Sequence, residues 1–135
     1  MRFYLLDAGI VDRYANFDPR VRARARAEKA RGNRVGTGVP NLGELWAGVE
    51  GSAGRARNLA RLRSALADLR VWPYGKVEAE EFGRLDALLR RLGRPIGEID
   101  TQTAAIARTL GPCTVVSMDS DFRAVPGLMV EDWSV

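Results

Sequence analysis

Residues 113–121 read CTVVSMDSD, an unbroken apolar and β-branched run from Cys113 to Met118 that passes into Asp119 and, two residues on, Asp121. A run with no polar alternation predicts a strand buried on both faces, as in a parallel sheet. The opposite end of the chain repeats the arrangement: RFYLL, residues 2–6, runs into Asp7. Open parallel sheets form their sites at the carboxyl ends of strands. If these two strands are neighbours, Asp7 and Asp119 come within reach of one cation.

The stretches between them read mostly as helices. Ile10 to Tyr14 begins one, and Pro19 opens another that continues through Val21 to Ala30 and stops at Gly32-Asn33. Arg34 to Val39 suits a strand, weakened by Gly36 and Gly38. Pro40-Asn41 opens a helix through Val49, with Leu42, Leu45, Trp46 and Val49 as its apolar stripe. Ser52 is placed to cap a helix reaching about Leu69. Val71-Trp72 is a short strand, Val77 to Leu92 a helix ended by Gly93, and Ile96 to Ile99 a loop. Asp100 can cap a helix over Thr101 to Leu110, and Leu128 to Glu131 is the last strand. Strands alternating with helices predict an α/β sandwich with a mainly parallel sheet. At 135 residues the expectation is one domain, residues 1–135.

Composition removes several chemistries. There is no histidine, so Ser-His-Asp and Cys-His catalysis and the usual zinc hydrolase sites are closed. The single cysteine, Cys113, has no intramolecular disulfide partner. The run before Asp7 is too short for a secretory core, and no apolar stretch is long enough to span a membrane. A cytoplasmic protein is expected. Hydrolytic chemistry then has to rest on carboxylates with a hard metal ion.

The net charge of +4 is unevenly spread. Residues 20–34 and 55–70 together hold 12 of the 21 basic side chains; the rest of the chain carries nine basic and 15 acidic residues. Such segregation suits a polyanion-binding surface beside an acidic site, although either segment also reads as a solvated helix face. Arg22, Arg24 and Arg26 are candidate nucleic-acid contacts. Steps of two residues turn about 200° on a helix, so they cannot all share one face.

Four acids are candidate site residues: Asp7, Glu44, Asp100 and Asp119, with Asp121 a further contributor. Each has a structural alternative. Asp7 suits a strand-end turn, Glu44 a helix surface, Asp100 an N-cap, and Asp119-Ser120-Asp121 an Asx turn. Clustered carboxylates repel, and a divalent cation or raised pKa values offset that repulsion. Magnesium or manganese accepts such all-oxygen ligands.

Four segments in order, RFYLLDAGIVDRY, VGTGVPNLGELWAGVEGS, GRPIGEIDTQTAAIARTLGPCTVVSMDSDF and VPGLMVEDW, resemble the PIN-domain nucleases, specifically the VapC-type toxins of toxin–antitoxin pairs. The resemblance covers almost the whole chain. It implies a three-layer α/β/α sandwich with a central parallel sheet. It also implies a magnesium- or manganese-dependent ribonuclease, a cognate antitoxin and a homodimer. The family's first aspartate falls on Asp7, its glutamate on Glu44 (followed by Leu45 and Gly48), its third acid on Asp100 and its last on Asp119, with Asp121 beside it. The family's hydroxyl two residues before the last acid is Ser117, a further candidate RNA contact. One departure is Asp7-Ala8-Gly9, where the family carries Asp-Thr-Asn or a close variant. It leaves open a reading as a PIN-fold RNA- or antitoxin-binding protein with impaired catalysis. A receiver-like phospho-acceptor is disfavoured because the only lysines are Lys29 and Lys76.

Overall fold

The computed structural model describes residues 1–135. Five strands, β1 (Phe3–Leu6), β2 (Arg34–Gly38), β3 (Arg70–Trp72), β4 (Cys113–Val116) and β5 (Met129–Glu131), form one sheet in the order β3-β2-β1-β4-β5. Every pairing is parallel, so the expected mainly parallel sheet is wholly parallel. Six helices connect them: α1 (Ala8–Ala15), α2 (Pro19–Ala30), α3 (Val39–Glu50), α4 (Arg55–Ala67), α5 (Lys76–Arg91) and α6 (Glu98–Leu110).

Alternation along β1 makes the three layers. Tyr4 and Leu6 enter one apolar cluster with Ile10, Val11, Val21, Leu45 and Leu62, from α1 to α4. Leu5 enters another with Leu85, Leu89, Ile106 and Val115, on the side of α5 and α6. Successive strand side chains point to opposite faces, so both faces of the central strands are covered. The chain moves outward from β1 through β2 to β3, then returns across the sheet to β4 on the other side of β1. The strand order therefore reverses between β1 and β4, where open α/β sheets leave a crevice at the carboxyl ends. Leu6 pairs with Val116 there, placing the residues that follow both strands side by side.

Several boundaries differ from the sequence expectation for physical reasons. β2 forms despite its glycines because a Cβ on Gly36 would lie 2.4 Å from the Arg70 carbonyl oxygen; the close approach of β3 requires the glycine. Ser52 does not cap α4, whose N-cap is Gly54; the Ser52 hydroxyl instead donates to the Val49 carbonyl at 2.7 Å. Asp100 is not a cap either. Gly97 holds that position, and Asp100 lies inside the first turn of α6 with its carboxylate free of capping. β4 stops at Val116 rather than Met118. A 3-10 turn over Ser120–Ala124, invisible to periodicity, follows. Trp133 is buried, its ring 5.3 Å from that of Tyr4. Trp46 is partly buried against the same cluster.

Candidate active site

The site is built where β1 and β4 end. Asp7 ends β1 and caps α1: its Oδ1 accepts from the Ile10 N–H at 3.0 Å. Its Oδ2 accepts a short hydrogen bond from the Ser117 hydroxyl. The Ser117 oxygen in turn accepts from the Asp119 N–H at 2.9 Å. One hydroxyl thus ties the acid after β1 to the acid after β4. Beneath them, the buried Thr37 hydroxyl donates to the Leu6 carbonyl at 2.7 Å and fixes the end of β1 to β2.

Asp119 accepts from the Asp121 N–H at 2.9 Å, so the Asx turn read in the sequence exists. It serves the site as well, because it turns Asp121 back toward Asp119. Carboxylate oxygens of Asp100, Asp119 and Asp121 all lie within 4.8 Å of one another. Phe122, fully buried, anchors that turn in the core beside Leu5 and Val115. Asp7 and Glu44 lie outside this tightest trio but feel it electrostatically. Burial raises the Asp7 pKa, and Asp119 adds to the shift. Glu44, on the exposed side of α3, is raised by partial desolvation and by Asp7. Asp100 is pushed up to about 6, first by burial and then by Asp119, Asp7, Glu44 and Asp121.

Five acids therefore converge on one crevice with no basic side chain among the causes that shift Asp100. Such uncompensated repulsion, presented by an all-oxygen donor set, fits a hard divalent cation such as magnesium or manganese. Zinc and copper sites usually draw on nitrogen or sulfur ligands, and this set has none. Cys113 is no nucleophile: burial pushes its thiol up to about 12.

The arginines are divided in role. Arg22 donates from Nε to the Tyr14 carbonyl at 2.8 Å and lies over the Tyr14 ring at 4.2 Å. Arg24 pairs with Glu28 and Glu131, each at 2.9 Å, and covers Trp133. Arg26 is exposed. Arg61, within the basic segment 55–70, has no distinguishing signal in the sequence. It lines a cavity of about 590 Å³ shared with Glu44, Asp12, Asn16 and Ser52, and donates to Asn16 at 3.0 Å. Asn41 on α3 and Thr103 on α6 are buried polar residues, marked in the sequence only as polar positions on otherwise apolar helix faces.

Comparison with known proteins agrees with this geometry. The PIN domain family profile matches residues 4–128. The tRNA(fMet)-specific endonuclease VapC of Shigella flexneri is 38% identical over 93 residues, which is 69% of this chain and 70% of that protein. The fold superimposes on a DNA-bound VapBC structure from Salmonella typhimurium with TM-score 0.88 at 30% identity, covering 98% of this chain and 99% of the other. VapBC2 from Rickettsia felis, bound to a promoter DNA fragment, gives TM-score 0.89 at 25% identity, with 97% and 98% covered. The chain belongs to the PIN domain family, among its VapC-type members.

Proposed function

We propose that this chain is a metal-dependent endoribonuclease, the toxin of a toxin–antitoxin pair, in which Asp7, Glu44, Asp100 and Asp119, with Asp121, hold magnesium or manganese. The observation that carries the reading is the convergence of Asp100, Asp119 and Asp121 within 4.8 Å beside a fixed Asp7. A divalent ion supplies Lewis acidity there, lowering the pKa of a water and offsetting charge on the departing oxygen. The chain's own residues do the positioning. Ser117 and the Ile10 N–H hold both oxygens of Asp7, and the Phe122-anchored turn presents Asp119 and Asp121.

Water attack on phosphorus breaks the bond to the 3′ oxygen, leaving 5′-phosphate and 3′-hydroxyl ends. Cleavage is expected with magnesium or manganese and is lost in EDTA. End analysis of the fragments checks the route, and 2′,3′-cyclic phosphate ends would overturn it. The Shigella relative's name makes initiator tRNA the first substrate to test.

A second reading, a PIN-fold binding protein without catalysis, rests on Asp7-Ala8-Gly9. The paired oxygens of Asp7 favour catalysis, because the positioning lost with the missing side chains is supplied by Ser117 and the α1 backbone. Manganese binding without cleavage of any RNA would select the second reading.

RNA backbone contacts are assigned to the exposed Arg26 and to Arg61, whose one hydrogen-bond partner is the exposed Asn16, with Arg22, Arg24 and Ser117 further candidates held by partly buried protein groups. Arg26→Ala is expected to lower the slope of log affinity against log salt by about 1, as one phosphate contact does. An unchanged slope in filter binding across salt concentrations removes Arg26 from the interface. An antitoxin partner, supported by the VapBC structures this chain resembles, belongs to the same proposal, as do its placing a basic side chain among the acids and a homodimer. No helix is long and apolar enough to cross a membrane.

A further inference from the structure

Glu44 on α3 and Asp100 on α6 belong to separate helices, so helix spacing sets how these two acids face one another. One turn from each lies a buried polar side chain: Asn41, three residues before Glu44, and Thr103, three after Asp100. The Asn41 amide nitrogen donates to Thr103 Oγ1 at 2.9 Å. That orientation is forced. The single Thr103 hydroxyl proton goes to the Ile99 carbonyl at 2.8 Å, so its oxygen can only accept here.

The arrangement is costly. Asn41 Oδ1 is buried with no hydrogen-bond donor, and buried polar atoms rarely go unpaired. It lies over Gly38, where an added Cβ would fall 3.1 Å from Asn41 Oδ1 and 2.7 Å from the Ile106 side chain. Gly38 is thus the bare spot that lets α3 and α6 close on each other. An apolar pair of the same shape would join two helices at least as well. A half-satisfied polar pair, placed one turn behind two acids of the site, serves orientation better than packing.

We propose that Asn41 and Thr103 form a strut that sets the separation and orientation of the Glu44 and Asp100 carboxylates, making both positioning residues of the acidic site. The proposal rests on the metal-binding part of the reading above, and ion binding tests it separately from cleavage.

Manganese is titrated calorimetrically into RNA-free wild-type protein, Thr103→Val, Thr103→Ser, Asn41→Leu and the Thr103→Val/Asn41→Leu pair, with melting temperatures taken in EDTA. Thr103→Val and Asn41→Leu are each expected to weaken manganese binding about tenfold, the order seen for residues that orient metal ligands. Thr103→Ser keeps the hydroxyl and stays within twofold of wild type. The pair binds no more weakly than the worse single variant, because both break the same bond. A paired variant that melts like wild type yet binds manganese poorly separates orientation from folding. If Asn41→Leu does not fold, the valine–serine comparison at Thr103 decides alone. Manganese affinity within twofold of wild type in Thr103→Val overturns the strut. So does a wild-type protein that binds no manganese. Wild-type protein that binds manganese but cuts no RNA refutes the nuclease reading and leaves the strut to the same titration.

Discussion

Asp100→Asn is expected to reduce metal-dependent cleavage at least about a hundredfold while raising the melting temperature of the metal-free protein. The activity loss follows from removing a carboxylate from the trio that meets within 4.8 Å, where a metal's contribution to the barrier is several kcal/mol. The stability gain follows from the raised pKa. Burial and four neighbouring acids lift Asp100 from 3.8 to about 6. A carboxyl that holds its proton more tightly when folded opposes folding once ionised. That opposition is complete above about pH 6 and fades as pH falls toward 3.8. Asp100 is only half-buried and solvent screens it, so the gain from asparagine at pH 7.5 is about 1 kcal/mol. That corresponds to about 4 °C in melting temperature. Melting curves in EDTA at pH 4.5 and 7.5 check this: the variant melts higher at pH 7.5, and the difference shrinks at pH 4.5. A variant that melts lower at pH 7.5 would show that Asp100 is a structural support and sink its assignment to a strained acidic site. Opposite effects on activity and stability are the mark of a group held in place for function.

Phe122→Ala carries the largest expected loss of stability. Phe122 is fully buried in the apolar cluster of the α5–α6 layer. Truncating a buried phenylalanine costs about 3–5 kcal/mol, from lost burial and the residual cavity. Melting is expected to fall by about 10–15 °C. The turn over Ser120–Ala124 loses its anchor, so manganese affinity falls as well, measured well below the melting temperature. Phe122→Leu should recover most of both losses. A melting temperature within about 3 °C of wild type in Phe122→Ala would show that the turn is held by its Asx bonds alone.

The two strand-end aspartates were legible because a buried parallel strand writes itself as an apolar run, and the first polar residue marks where it leaves the sheet. RFYLL before Asp7 and CTVVSM before the DSD triplet carry that signal without any tertiary information. Asp100 was harder. An acid near a helix start reads equally as cap or ligand, and only the backbone showed that Gly97 takes the cap. Ser52 failed for the same reason: cap preference is local, while the start of α4 is decided by how its apolar face docks. Asp121, a further contributor in the sequence, stands in the tightest trio, and the 3-10 turn that places it there has no periodicity to reveal it.

The arginine segments show the opposite limit. Their charge was plain in the sequence, but charge does not tell which guanidinium is free. Arg24 is spent on Glu28 one turn along α2 and on Glu131 and Trp133, which lie more than a hundred positions away in the chain. Arg61 reaches the cavity beside Glu44 only because α4 packs on α1 and α3.

The sequence by itself determined the alternation of strands and helices, the buried parallel character of the sheet, the closure of histidine chemistry and the two acids at strand ends. These follow from hydrophobic burial and side-chain chemistry, which act residue by residue. The tertiary structure alone decided that β1 and β4 are neighbours and that the order reverses between them. It alone brought Asp100 and Asp121 to Asp119, and placed the unpaired Asn41 oxygen behind Glu44. Those are distances between residues far apart in the chain, set by how helix and sheet faces pack, and no local pattern encodes them.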